Sequence, residues 1–132
     1  MCLFKNLKIH PNCRPLRAKS DIVCFKVLIK NSDNRFITPV QRVEIFSDCL
    51  YHKQPLKASI LSYFRFFKYH ILGKRGIVTD GFIHTHETLN LSIYAPEYYT
   101  IFKCIIPKGT WYYRGLANQY ASRKIIFLER II

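Results

Sequence analysis

Two short apolar segments limit the fold of this chain more than any other feature of the sequence. Residues 21–30 read DIVCFKVLIK and residues 100–106 read TIFKCII. Both are rich in β-branched and aromatic residues and short enough to be strands. The nearly continuous apolar character of the first is typical of burial on both faces, and Pro107 ends the second. Both segments are predicted to be core strands.

Several weaker strand patterns lie between and after these segments. Residues 35–46 alternate in polarity but contain Pro39, which predicts an edge strand or extended chain. Residues 47–55 are predicted to be a loop. The remaining predictions are a strand-like start before a turn at Asp80 and Gly81, a loop or short hairpin arm over residues 109–119, and a terminal strand or strand pair over residues 120–132.

Residues 56–72, LKASILSYFRFFKYHIL, are ambiguous between helix and strand. At 3.6 residues per turn, Ile60, Phe64, Phe67 and Ile71 form one apolar stripe, which predicts an amphipathic basic helix. The aromatic content favours a strand, whereas the length and the glycines that follow favour a helix. The predicted fold is a small single α+β domain, mainly antiparallel sheet with one amphipathic basic helix. Residues 1–20 form an extended basic N-terminal arm and residues 21–132 the core.

The charge of the chain indicates an anionic partner. Lys and Arg number 21 against 8 Asp and Glu, so the formal net charge is +13. Such an excess opposes compaction unless a partner neutralises it, and nucleic acid is the leading candidate. An acidic protein surface, an anionic membrane face and an ordinary basic protein remain alternatives. Two tracts without any acid, residues 1–20 and 49–79, hold eleven of the basic residues.

A third segment, WYYRG at residues 111–115, combines aromatic and basic side chains near Lys108, Arg123 and Lys124. This combination stacks on unpaired bases and neutralises phosphates, although the aromatic rings could equally fill one face of a hairpin. The predicted contact residues for nucleic acid or another partner are Lys5, Lys8, Arg14, Arg17, Lys19, Lys53, Lys57, Arg65, Lys68, Lys74, Arg75, Lys108, Trp111, Tyr112, Tyr113, Arg114, Arg123 and Lys124.

The cysteines and the apolar segments bear on the cellular compartment. The five cysteines are odd in number and never form C-x-x-C, and the start MCLFKNLKIH has no apolar signal region. Reduced thiols and a cytoplasmic location are therefore predicted. No uncharged stretch approaches the roughly 18 residues of a membrane span, so a membrane partner is not expected.

The residue types that support catalysis are few. His84 and His86 lie two apart in IHTHET and would share one face of a strand, but the spacing supplies no third metal ligand. The sequence HET also matches half of the paired H-x-T motif of phosphoesterases, and Cys49 with His52 lacks an orienting third group. We therefore expect no enzyme activity, no metal and no cofactor, and keep a divergent enzyme using His84 and His86 as the alternative.

The segments MC at the start, DIVCFKVL, ITP, GFIHTHETL, CIIPKGTWYYRG and YASRKIIF together resemble small proteins of bacteria, phages and prophages. The resemblance covers most of the chain except residues 45–76. Its most specific part is I-I-P-K-G-T-x-Y-Y-x-G followed by Y-A-S-x-K.

In outline these proteins are also similar to a reduced ADP-ribosyltransferase. The chain departs from that family where chemistry needs it, with Lys26 in place of the arginine that holds the dinucleotide and only Glu129 in place of a glutamate pair. A small basic prophage-type protein of this kind resembles anti-CRISPR inhibitors. That resemblance implies a non-catalytic inhibitor in the bacterial host cytoplasm that engages an RNA-guided nuclease or its guide RNA. A purely protein-binding inhibitor is a third possibility.

Overall fold

Both predicted core strands are present and pair with each other in the computed structural model, which describes residues 3–5, 15–30, 35–38, 44–58, 76–78, 82–114 and 118–132. They are β3 (Ile22–Lys30) and β9 (Tyr99–Ile106), antiparallel from Ile22 opposite Ile106 to Ile29 opposite Tyr99. β9 ends directly before Pro107, as predicted. This pair is the centre of the sheet.

The other described strands are short and extend the sheet on both sides. They are β1 (Leu3–Lys5), β2 (Pro15–Arg17), β4 (Phe36–Ile37), β5 (Glu44–Ile45), β6 (Leu56–Lys57), β7 (Gly76–Val78), β8 (Ile83–His86), β10 (Trp111–Arg114), β11 (Gln119–Ser122) and β12 (Lys124–Arg130). The sheet order is β2, β10, β11, β8, β3, β9, β12 and β6, while β4 and β5 extend from β3 and β1 pairs with β7. Every pairing among them is antiparallel.

The order of the strands shows that the sheet coils strongly. β11 and β12 lie four strand steps apart in the sheet, about 19 Å if it were flat. They are nevertheless joined by Arg123 alone, so Ser122 and Lys124 are about 7 Å apart at most. The sheet must therefore turn back on itself, and β3 and β8 meet at a single residue pair, Phe25 with His86.

One side of the coiled sheet holds the main core. Its fully buried residues include Cys24, Leu28, Phe102, Cys104 and Phe127, with Phe102 and Phe127 packed edge to face at 5.4 Å. Leu50, Ile45 and Phe36 from the β4 to α1 region close this core. The opposite side has a smaller buried group, in which Phe82 packs edge to face on Tyr113 at 5.7 Å.

Helical structure differs from the prediction. The α-helix among the described residues is α1 (Ser47–Tyr51), which lies within the segment predicted to be a loop. Leu56 and Lys57, at the start of the predicted basic helix, form a strand against β12, and residues 59–75 lie outside the described residues. In the part of the chain that the structure describes, the fold is therefore mainly antiparallel sheet with one short α-helix, and no helix there is long and apolar enough to cross a membrane.

Candidate nucleic-acid interface

The bend between β11 and β12 brings three separate segments of the chain together. The Arg123 N–H donates to the Trp111 carbonyl at 3.2 Å, and the Arg123 carbonyl accepts from the Ala58 N–H at 2.7 Å. Next to this bend, Lys124 lies directly opposite Lys57 across the β12 and β6 pairing. A single residue between two strands thus connects the terminal strand, the β10 hairpin and the segment that contains β6.

The loop between β9 and β10 fastens the N-terminal segment to the same place. The Gly109 N–H donates to the Ala18 carbonyl at 2.8 Å, and the Ala18 N–H donates to the Thr110 carbonyl at 2.9 Å. The Lys108 N–H donates to an Asp21 carboxylate oxygen at 2.8 Å. Gly109 adopts φ +88°, which an L side chain rarely accepts, so this position favours glycine.

These backbone contacts bring together the segments that carry six cations near Trp111, and we call this surface the basic corner: Arg17, Lys19, Lys57, Lys108, Arg123 and Lys124. Four of its cations, Arg17, Lys19, Lys57 and Lys108, are exposed, and the other two are half-buried. Asp21 is the carboxylate bound at this corner among the described residues, and one of its oxygens accepts from a backbone N–H. The local charge is therefore strongly positive.

Trp111 and Arg17 form the centre of the basic corner. They are directly opposite each other in the β10 and β2 pairing. The guanidinium carbon of Arg17 lies 6.0 Å from the centroid of the indole, within cation–π range. Arg17 Nε also donates to the Gly109 carbonyl at 3.2 Å. The arginine side chain is thus held in place while it remains exposed.

The aromatic run of β10 does not present a single stacking surface, because successive residues of a strand point to opposite faces. Tyr113 is 1% exposed and packs on Phe82, so its prediction as a contact for unpaired bases is wrong. Tyr112 packs edge to face on Tyr120 at 5.7 Å, against the main core. Of the three rings, only Trp111 belongs to the basic corner.

Arg114 lies apart from the basic corner and has its own counter-ion. Its Nη2 atom is 2.7 Å from Glu87 Oε2, and its guanidinium carbon is 6.0 Å from the Tyr120 ring centroid. This local neutralisation makes Arg114 a weaker candidate for phosphate binding than the lysines of the corner.

The two basic tracts predicted from the sequence contribute unequally to what the structure describes. Arg17 and Lys19 from the first tract and Lys57 from the second reach the basic corner. Lys53 is exposed in the loop after α1, with φ +54°, and no contact joins it to the corner. The backbone of Lys5 pairs with Gly76, and the other predicted members, Lys8, Arg14, Arg65, Lys68, Lys74 and Arg75, lie outside the described residues.

His84 and His86 share one face of β8, as the alternation predicted, and both are half-buried. Burial, and secondarily the charge of Lys26, lower the pKa of His86, so its imidazole is neutral at pH 7. In the described part of the chain, no group of three or more histidine, cysteine, aspartate or glutamate side chains is arranged to hold a metal ion.

The core of the sheet also contains a charged residue, Lys26. It is 6% exposed, and its Nζ donates to the His84 carbonyl at 2.7 Å. Burial lowers the pKa of Lys26 to about 8 and raises the pKa of Cys24, two residues away on the same face, to about 11. Burial also raises the pKa of Cys104, directly opposite Cys24. Lys26 stands out in the sequence as a charged residue among apolar ones. The hydrogen bond to the His84 carbonyl explains how its ammonium group is accommodated in the core.

Comparisons of the chain with protein-family models, with curated proteins and with solved structures gave no significant match.

Proposed function

We propose that this protein is a non-catalytic binding protein that engages RNA, free or within an RNA-guided nuclease, through the basic corner. The observation that carries the proposal is the convergence of cations from separate segments of the chain around the half-buried Trp111. Arg17 and Lys19, Lys57, Lys108, and the pair Arg123 and Lys124 are far apart in sequence and adjacent in the fold.

The arrangement of these charges favours binding of a polyanion over a surface whose cations are only hydrated by solvent. Like charges that face each other across a sheet are destabilising, and the Lys57 and Lys124 pair has no carboxylate within ion-pair distance in the described part of the chain. A phosphate backbone would neutralise several of these cations at once and release its own counter-ions. Cations interleaved with a half-buried tryptophan also match the composition of surfaces that bind single strands.

In the counter-defence role implied by the resemblance to prophage proteins, this corner would bind the guide RNA that the nuclease holds. That role needs no reactive group, only affinity for the RNA. A purely protein-binding inhibitor is the competing proposal, and it predicts a complex that persists after nuclease treatment.

Binding to a single-stranded RNA across a salt series tests the proposal. If five of the corner cations contact phosphates, the slope of log K against log salt is about −3.5, which is roughly a hundredfold loss between 50 and 200 mM salt. A slope near zero would contradict it. Pull-down from a bacterial lysate with and without RNase separates RNA from protein as the main contact.

A further inference from the structure

We infer that Arg17 is a preorganised phosphate-binding group, and that its two terminal guanidinium nitrogens bind one phosphate of the RNA backbone. This inference rests on the proposed function and adds the residue and the geometry of a central contact.

Three restraints hold Arg17 before any ligand arrives. Its backbone pairs with Trp111 across β2 and β10, its guanidinium lies against the indole, and its Nε donates to the Gly109 carbonyl. An arginine normally loses considerable rotamer freedom when it binds a ligand. Here that freedom is already reduced, so more of the binding free energy of the guanidinium is available for the phosphate.

The two terminal nitrogens remain available for a ligand. Within the described residues, neither makes a hydrogen bond or an ion pair, and the hydrogen bond of Arg17 uses Nε. A side chain added at Gly109 would have Arg17 Nη2 as its nearest neighbour, at 4.0 Å, so the guanidinium lies beside the loop and not inside it. Two parallel N–H donors in one plane match two oxygens of a phosphate.

The surroundings of Arg17 favour phosphate over a carboxylate of a protein partner. Lys19 follows Arg17 in the same segment. The hydrogen bond from the Gly109 N–H to the Ala18 carbonyl holds the neighbouring Lys108 next to this segment. Both lysines are exposed. Several cations around one fork suit a doubly charged or repeating anion better than a single carboxylate, although Asp21 limits the net charge on the Lys108 side.

The substitution Arg17→Lys tests the inference because it keeps the charge and removes the planar fork. Trp111 is the single tryptophan of the chain, so its fluorescence reports ligands at the corner. Two probes are titrated at constant ionic strength: a single-stranded RNA oligomer and inorganic pyrophosphate. We expect Arg17→Lys to bind the RNA about tenfold more weakly with an unchanged salt slope, because the number of charges is the same. The matched control Arg35→Lys makes the same exchange at an exposed arginine outside the basic corner and should change affinity by less than about twofold.

The outcomes separate the inference from the proposed function. If Arg17→Lys binds RNA as tightly as the wild type, with the wild-type slope, Arg17 acts as one charge among several and the inference is overturned, while the proposed function stands. If the wild type does not bind RNA, the proposed function fails. The pyrophosphate titration of the wild type then decides the inference by itself.

In that titration, NMR of the wild-type arginine side chains follows the Arg17 Nε–H signal, so no variant needs to fold. A saturable shift of that signal together with a change in Trp111 fluorescence supports a phosphate site at Arg17. Absence of both overturns it. Pyrophosphate binding without RNA binding would assign the site to a free phosphate ligand instead of a nucleic acid.

Discussion

Lys57 and Lys124 lie directly opposite each other in the antiparallel pairing of β6 with β12. The Cβ atoms of such partners are about 5 Å apart, so the two ammonium groups repel each other unless an anion lies between them. This arrangement costs stability in the free protein, and a bound polyanion would relieve the repulsion.

Reversing one charge of this pair should therefore stabilise the protein and weaken RNA binding. We expect Lys57→Glu to raise the free energy of unfolding by about 0.5 kcal/mol, because it converts a repulsive cross-strand pair into an attractive one. Urea unfolding measures the stability and fluorescence titration the RNA affinity. Lys124→Glu should behave alike, and the double reversal should lose the gain in stability and bind RNA most weakly. A loss of stability in both single variants would contradict this interpretation.

The buried Lys26 predicts a specific dependence of stability on pH. Its pKa is about 8 in the folded protein against 10.5 when unfolded, so between these values the unfolded chain binds more protons and stability rises with pH. Below pH 8 both states are charged and the full penalty of the buried charge applies. From pH 7 to pH 9, the wild type should gain about 1 kcal/mol relative to Lys26→Met.

At pH 9 or below, ionisation of the buried cysteines does not contribute to the difference in stability between the wild type and Lys26→Met. Burial raises the pKa of Cys24 to about 11, so its stabilising effect is lost only as the pH rises above 9. Urea unfolding of both proteins at pH 7, 8 and 9 gives the difference. Parallel curves would show that Lys26 is not buried as described.

Tyr113 and Trp111 lie two residues apart on β10. Substitution of the first should mainly lower stability, and substitution of the second should mainly weaken RNA binding. We expect Tyr113→Ala to lower the free energy of unfolding by about 3–5 kcal/mol, because a fully buried ring is lost against Phe82. Trp111→Leu should cost less stability because the indole is half-buried, yet weaken RNA binding about threefold by removing the surface on which Arg17 lies. Thermal unfolding and fluorescence anisotropy of a labelled RNA provide the two readouts. Wild-type RNA affinity in Trp111→Leu would contradict the role of this pair.

The paired substitution of His84 and His86 by glutamine tests the enzymatic alternative. The lowered pKa of His86 leaves its imidazole uncharged at pH 7, so we expect RNA affinity to stay within about twofold of the wild type. Inhibition of a partner nuclease, where observed, should also persist. Loss of biological activity without a lower melting temperature would favour the enzyme interpretation over the binding one.

The core strands could be predicted from sequence because their signal is local. The segments around Cys24 and Cys104 are short, β-branched and bounded by charges or proline, and the structure pairs them directly. The helix over Ser47–Tyr51 could not be predicted, because five residues carry too little periodicity. The strand at Lys57 could not be predicted from local sequence either, because it depends on pairing with Lys124, which is distant in sequence.

The basic corner could be predicted only in part. The sequence identified Arg17, Lys19, Lys108 and Trp111 as candidates from composition, but not that they meet. Their proximity depends on the bend at Arg123 and on the hydrogen bonds of the loop around Gly109. The burial of Tyr113 also depends on the tertiary fold, because the ring that covers it belongs to Phe82, directly before β8.

The most direct test compares two double charge reversals that change the net charge equally. One is placed in the basic corner, Lys108→Glu with Lys124→Glu. The other is Lys30→Glu with Arg35→Glu, at the far end of β3, about 26 Å from the start of that strand. The ion pair of Arg35 with Glu44 is exposed and contributes little to stability.

Salt-dependent binding of a single-stranded RNA is the measurement. The corner variant is predicted to lose at least about thirtyfold in affinity and about 1.4 from the magnitude of the salt slope, which corresponds to two phosphate contacts. The distal variant should keep the wild-type slope and most of the affinity. Equal losses in the two variants would show that net charge alone attracts the RNA, and would contradict a binding surface at the basic corner.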